Sequence, residues 1–172
     1  MGEGPRPCYA GSVAKLLANH EEKSTALFLR RVGAFGAAVL ATEALAAMAS
    51  TQFVLAGLTS LWVVITLGDR LAMTGQDILG MMQIYLPVLA LALALGFLVA
   101  GVILRKLGPA WFLLGYSSAG FVAVLAAVLT VLSLFDITPI AGARSPAGLV
   151  CQGLAGAVGG LIFLRLKPSP GA

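Results

Sequence analysis

Three stretches of this chain, residues 81–104, 110–135 and 147–164, are dominated by apolar side chains and contain no charged one. At about 1.5 Å of rise per helical residue, each is long enough to cross a hydrocarbon core of about 30 Å. A fourth stretch, residues 32–50, holds a single charge, Glu43. Water is a poor solvent for such segments and lipid a good one. The expected fold class is therefore all-α: an integral membrane four-helix bundle with spans at about 31–50, 79–104, 109–134 and 146–165.

Composition agrees with that expectation and limits what surrounds it. Charged residues make up 10% of the 172-residue chain and hydrophobic ones 59%, where a soluble domain carries about 25% charge. One transmembrane domain, residues 25–166, fills most of the length. Residues 1–24 read as a flexible cytoplasmic tail with a weak helix over 13–19, because Pro5, Pro7 and the mixed charges of His20-Glu21-Glu22-Lys23 leave little to bury. Residues 167–172 read as a second short tail, broken by Pro168 and Pro170.

Lys and Arg stay on the cytoplasmic side near span ends. With four spans and the N-terminus inside, every basic residue except Arg70 and Arg144 falls on that side. Splitting residues 32–67 into two spans scatters the basic residues and leaves almost no loop near Ser50. The net charge of +4 thus reflects flanking residues and anionic-lipid contacts. No basic stripe with interleaved aromatics is present, so no nucleic-acid partner is expected. Four spans place Cys8 and Cys151 on opposite sides, which makes both free thiols. A signal-peptide reading, with Arg30-Arg31 before an apolar run and Ala47-Met48-Ala49 as cleavage site, would leave three spans in the same orientation.

Local chemistry marks the span ends. Thr74-Gly75-Gln76-Asp77 has the form of a capping box and predicts the start of the second helix. Gly108-Pro109 predicts the stop of that helix and the start of the third, and Ser145-Pro146 the start of the fourth. Trp111 and Tyr85 are expected as interface anchors, inner and outer. Pro87 falls inside the second helix. The segment 51–71 is too apolar for a free loop, yet it is cut by Gly57, Thr59, Ser60 and Gly68. An interfacial outer segment between spans 1 and 2 is expected there, with Trp62-Val63-Val64-Ile65 extended. The competing expectation is a longer first helix.

Small residues let helices approach in lipid, where apolar burial supplies no drive. Gly153, Gly156 and Gly160 form the strongest such set, and Gly33 with Ala37, Gly96 with Ala100 and Gly115 with Ala119 repeat it. They are expected to pack the bundle against itself; the alternative is a seam for a homo-oligomer or a partner membrane protein.

Glu43 is the sharpest candidate for function. It lies twelve residues past Arg31, roughly 18 Å into the membrane. A charge at that depth costs on the order of 3 kcal/mol on insertion scales, so it should face the bundle interior. Thr42, Tyr116, Ser117 and Ser118 are expected at comparable depth as hydrogen-bond donors. Gln152 is expected to bridge helices from the outer third of the fourth span. A candidate intramembrane polar site thus comprises Glu43, Tyr116, Ser117 and Gln152. A candidate outer polar cluster comprises Asp69, Arg70, Asp77, Asp136 and Arg144.

The sole histidine, His20, lies in the N-terminal tail. Bis-histidine haem ligation, a histidine-based metal site in the bundle and a Ser-His-Asp triad are therefore unavailable. No Walker loop, GxGxxG or GxSxG motif occurs. No cofactor or metal is called for.

Thr51-Gln52-Phe53-Val54-Leu55, Arg70-Leu71, Asp77-Ile78-Leu79-Gly80, Gly142-Ala143-Arg144-Ser145 and Gly153-Leu154-Ala155-Gly156-Ala157 carry a resemblance. Over about residues 30–166 the chain resembles a group of small bacterial inner-membrane proteins with no known activity. The resemblance implies four spans and an outer connection between the first two. Three functions then rank in order. The first is a non-enzymatic accessory or interaction subunit, and the second an oligomeric small transporter or channel using Glu43. The third is an enzyme acting on a lipid-linked substrate through Asp69, Asp77, Asp136 and Arg144.

Overall fold

The computed structural model describes residues 8–60, 66–135 and 145–168. They form four long helices: α1 (Cys8–Ser60), α2 (Leu67–Leu107), α3 (Phe112–Phe135) and α4 (Pro146–Leu166). A single turn of 3-10 helix, Pro109–Trp111, leads into α3. No strand occurs among the described residues. The fold is an all-α four-helix bundle, and each of the four helices contains a segment long and apolar enough to cross a membrane.

Each helix packs on its neighbour in chain order, and α4 closes the ring against α1. Neighbours run antiparallel, as the pairing shows. Phe35 of α1 meets Phe97 of α2 while Gln52 meets Arg70. Gly96 and Gly115 mark the α2–α3 contacts with Ala123 and Leu104. Gly156 of α4 lies against Gly120 of α3, and Gly160 against Tyr116.

The short connections are set by capping chemistry. Gly108 ends α2 with φ of 89°, a backbone shape that side chains disfavour, and its N–H bonds the Leu104 carbonyl at 3.2 Å. Pro109 then occupies the first helical position, where its missing N–H costs nothing. At α4 the Ser145 hydroxyl accepts from the Gly148 N–H at 3.1 Å, with Pro146 following. Both turns match expectation. Pro87 lies within α2 without ending it.

Three expectations are corrected. The helix expected to begin near Thr74 begins at Leu67, capped by Thr66-Leu67-Gly68-Asp69. Thr66 Oγ1 accepts the Asp69 N–H at 3.3 Å, and Asp69 Oδ2 accepts the Thr66 N–H at 3.1 Å. The two Thr-x-x-Asp runs carry the same local signal, and the upstream one caps the helix. Thr74 instead donates to the Arg70 carbonyl at 2.7 Å, inside the helix.

The interfacial outer segment is not found over residues 51–60. α1 continues through them, because Leu55 is fully buried and the Thr51 hydroxyl returns to the Ala47 carbonyl at 3.0 Å. Residues 61–65, including Trp62, lie outside the described residues.

Residues 8–24 are helical throughout rather than a tail with a short helix at 13–19. No Gly or Pro interrupts them after Gly11, and Ala, Leu, Lys and Glu are strong helix formers. Here α1 stands clear of the bundle: Leu17 is 63% exposed, Phe28 66%, and no residue from Glu21 to Gly33 is covered.

Candidate functional site

Along α1 the positions 43, 46, 47 and 50 form one stripe, since i+3, i+4 and i+7 recur on the same helix face. Glu43, Ala46, Ala47 and Ser50 are all buried there, Glu43 to 1% exposure. The carboxyl group thus faces the bundle interior, as expected. Among the described residues neither Oε1 nor Oε2 has a hydrogen-bond partner.

Two further polar side chains converge on this stripe. Gln152 of α4, also 1% exposed, donates through Nε2 to the Ala46 carbonyl at 3.0 Å and to Ser50 Oγ at 3.1 Å. It is the expected bridge between helices, here between α4 and α1. Among the described residues its Oε1 has no partner. Tyr85 of α2, at 7% exposure, lies within electrostatic range of Glu43, and among the described residues its hydroxyl also lacks a partner. Tyr85 is therefore a core residue and not an outer interface anchor. Sequence reasoning missed its place beside Glu43. The signal was its position four residues before Leu89 and eight before Leu93, on the stripe that α2 buries.

The other expected donors lie elsewhere. Thr42 is buried, but its hydroxyl donates to the Ala38 carbonyl of its own helix at 2.8 Å and packs on Gly159. Ser117 packs against Gly160, and Ser118 bonds back to the Gly115 carbonyl at 3.2 Å. The Tyr116 hydroxyl accepts from Lys167 Nζ at 2.9 Å. Register explains the difference. Tyr116 lies seven residues past Pro109, roughly 10 Å in from the end of α2, whereas Glu43 lies deeper.

Tyr116 belongs instead to an aromatic cluster that takes one ring or more from every helix. Phe97 of α2 stacks on Phe163 of α4 with centroids 4.7 Å apart, and Phe35 of α1 meets both edge-on. Tyr116 adds an edge contact to Phe97 at 6.0 Å. Lys167 closes this end, its ammonium 4.7 Å from the Tyr116 centroid. Such aromatic pairs contribute about 0.5–1.5 kcal/mol each beyond area. This cluster was also missed, although Phe35, Phe112 and Phe163 each lie within a few residues of a basic span end.

In the outer cluster, Asp69 serves the α2 cap. The Thr66 hydroxyl, at 2.6 Å, and the Thr66 N–H hold its carboxyl below the ordinary aspartate value. Arg70 Nη1 donates to Gln52 Oε1 at 3.4 Å, tying α2 to α1. Asp77 lies within α2, with its side chain outside the description. Asp136 and Arg144 lie outside the described residues.

A groove of about 880 Å³ runs between α2 and α3, from Val88 and Val131 at one end to Leu107 and Trp111 at the other. It is apolar, and Glu43 does not line it. Among the described residues no three His, Cys, Asp or Glu side chains gather as a metal site. No family model matches this chain, and no curated protein or solved structure does so either.

Proposed function

We propose that this is a non-enzymatic accessory or interaction subunit of a bacterial inner membrane, with four spans and both termini in the cytoplasm. The observation that carries the proposal is the unbroken course of α1. One half is locked into the bundle by Ala38, Thr42 and Ala46, while the other projects with Leu17, Phe28 and Leu29 uncovered. An arm rigidly continuous with a transmembrane helix suits the docking of another protein at the cytoplasmic face. The sidedness of Lys and Arg supports the orientation, and the resemblance to small four-span inner-membrane proteins supports the location.

The alternative of an oligomeric transporter or channel has less support. Glu43 is sealed among packed helices, and the large groove passes it by. Gly153, Gly156 and Gly160 are occupied by α3 of the same chain, so a homo-oligomer would use another face. The test is photo-crosslinking in native membranes from Leu17 and Leu29 on the arm, with Leu95 as a lipid-facing control. Discrete protein adducts from the arm positions alone are expected. Lipid-only adducts at all three sites, together with Glu43-dependent ion flux in liposomes, would reverse the ranking.

A further inference from the structure

We infer that Glu43 is a proton-binding site, and that the bound proton latches α1 to α2 and α4 through Tyr85 and Gln152. The inference goes beyond the proposed role of the arm and does not rest on it. It comes from counting donors and acceptors among three side chains that are each more than nine-tenths buried.

Gln152 has two amide hydrogens, and both acceptors beside them are filled: the Ala46 carbonyl and Ser50 Oγ. The Ala46 carbonyl only accepts, which fixes which end of the amide faces it. Gln152 Oε1 is thus left as an acceptor in need of a donor. Tyr85 has one O–H to give. A Glu43 carboxylate takes that bond but offers nothing to Gln152 Oε1, so one buried acceptor stays unpaired. A carboxylic acid closes the account. One oxygen accepts from Tyr85 and the other donates its O–H to Gln152 Oε1. Rotation of the Glu43 side-chain torsions and of the Tyr85 hydroxyl is what the pairing requires.

Charge leads to the same assignment. No Lys, Arg or His occurs in residues 32–60, 81–104, 110–135 or 147–164, so no cation in the spans balances a carboxylate. The titratable groups around Glu43 are few. α2 presents Tyr85, and α4 carries half-buried Cys151 next to Gln152. On α3 the one titratable side chain is Tyr116, which lies in the aromatic cluster and is bonded to Lys167. In the binding step the carboxylate takes a proton from hydronium and water leaves, which removes one negative charge from the bundle. Losing the proton at alkaline pH unlinks α4 from Glu43 and loosens the half of the bundle around Gln152.

The experiment uses the full chain in liposomes, with infrared spectroscopy and dicyclohexylcarbodiimide, which adds to protonated carboxyls in apolar surroundings. At neutral pH the spectrum should show a protonated-carboxyl C=O band that disappears in Glu43→Gln and shifts in Tyr85→Phe and Gln152→Leu. Carbodiimide should label Glu43, and the label should be lost in Glu43→Gln and kept in Asp69→Asn. Glu43→Gln reproduces one donor and one acceptor, so its melting temperature should match the parent at neutral pH and no longer fall at alkaline pH. A carboxylate band for Glu43 at neutral pH overturns the inference. Saturable protection of Glu43 by sodium ions at fixed pH also overturns it, because the ligand would then be a metal cation. If the variants fail to fold, the position of the carbodiimide label on the wild-type chain decides the matter: a label on Glu43 supports the inference and its absence overturns it.

Discussion

The two faces of α3 are packed to different closeness. Toward α4 the contact is backbone on backbone: a Cβ on Gly120 would overlap the Gly156 carbonyl, and one on Gly160 would overlap the carbonyl of Tyr116. Toward α2 the contact is mostly through side chains, with one backbone approach, Gly96 to the Ala119 carbonyl. Gly96 meets the Cβ of Ala123, Gly115 is covered by Leu104, and the groove of about 880 Å³ runs alongside. Both faces are apolar, so hydrophobicity does not separate them. Lipid tails are as apolar as leucine, and helices associate in them through close packing. The glycines on α4 are what let the backbones meet, and α2 presents fewer residues as small at the matching level.

The largest expected effect breaks the close face. Gly156→Leu places a branched side chain where Gly120 and Val124 already sit. Loss of the folded bundle is expected, read as aggregation on size-exclusion chromatography in detergent. Gly156→Ala is the graded version, with about 1–3 kcal/mol of destabilisation expected from overpacking. Leu95→Ala, at an exposed position on the groove, should do little. If Gly156→Leu melted like the parent, the close approach of α3 and α4 would not be what holds this side together.

The next effect loosens the open face further. Leu104 is 4% exposed and covers Gly115. Leu104→Ala removes that cover, and about 2 kcal/mol of stability should go with it. That is the low end of the range for such truncations, because Leu104 borders the groove, into which its neighbours can relax. Thermal unfolding in matched detergent measures it. A cost equal to that of Gly156→Leu would abolish the distinction between the two faces.

Much of this was legible in the sequence, and the misses share a cause. Four long apolar helices, the Gly108-Pro109 and Ser145-Pro146 turns, the inward Glu43 and the internal use of Gly156 and Gly160 all follow from composition and spacing within one helix. Gly120 and Gly159 were not singled out, although each meets backbone or Thr42 as closely as Gly156 does. Their importance depends on the register between helices, which no single span encodes. The same holds for Tyr85 beside Glu43, and for Tyr116 beside Lys167 instead. The start of α2 was missed for a local reason, since Thr66 and Thr74 present identical capping patterns. The length of α1 was missed because polar composition at 8–24 was weighed above helix propensity.

Two smaller effects sharpen the comparison, one at the end of the α3–α4 seam and one away from α3. Lys167→Gln keeps a side chain at the end of α4 but removes the cation over Tyr116 and weakens the bond to its hydroxyl. About 1 kcal/mol is expected, and Tyr116→Phe should lower the cost of the lysine change in a double-mutant cycle. Additive effects would mean that the ammonium and the ring do not cooperate. The smallest effect is opposite in sign. Gly33 is exposed, and a Cβ there would meet nothing within 4 Å. Gly33→Ala relieves the backbone entropy of a mid-helix glycine and should stabilise α1 by up to about 1 kcal/mol. A small rise in melting temperature checks it. Gly33 and Gly156 are both helical glycines in small-residue patterns, yet one should gain and the other lose. A loss of stability at Gly33 would show that the face it occupies is covered by something other than this bundle.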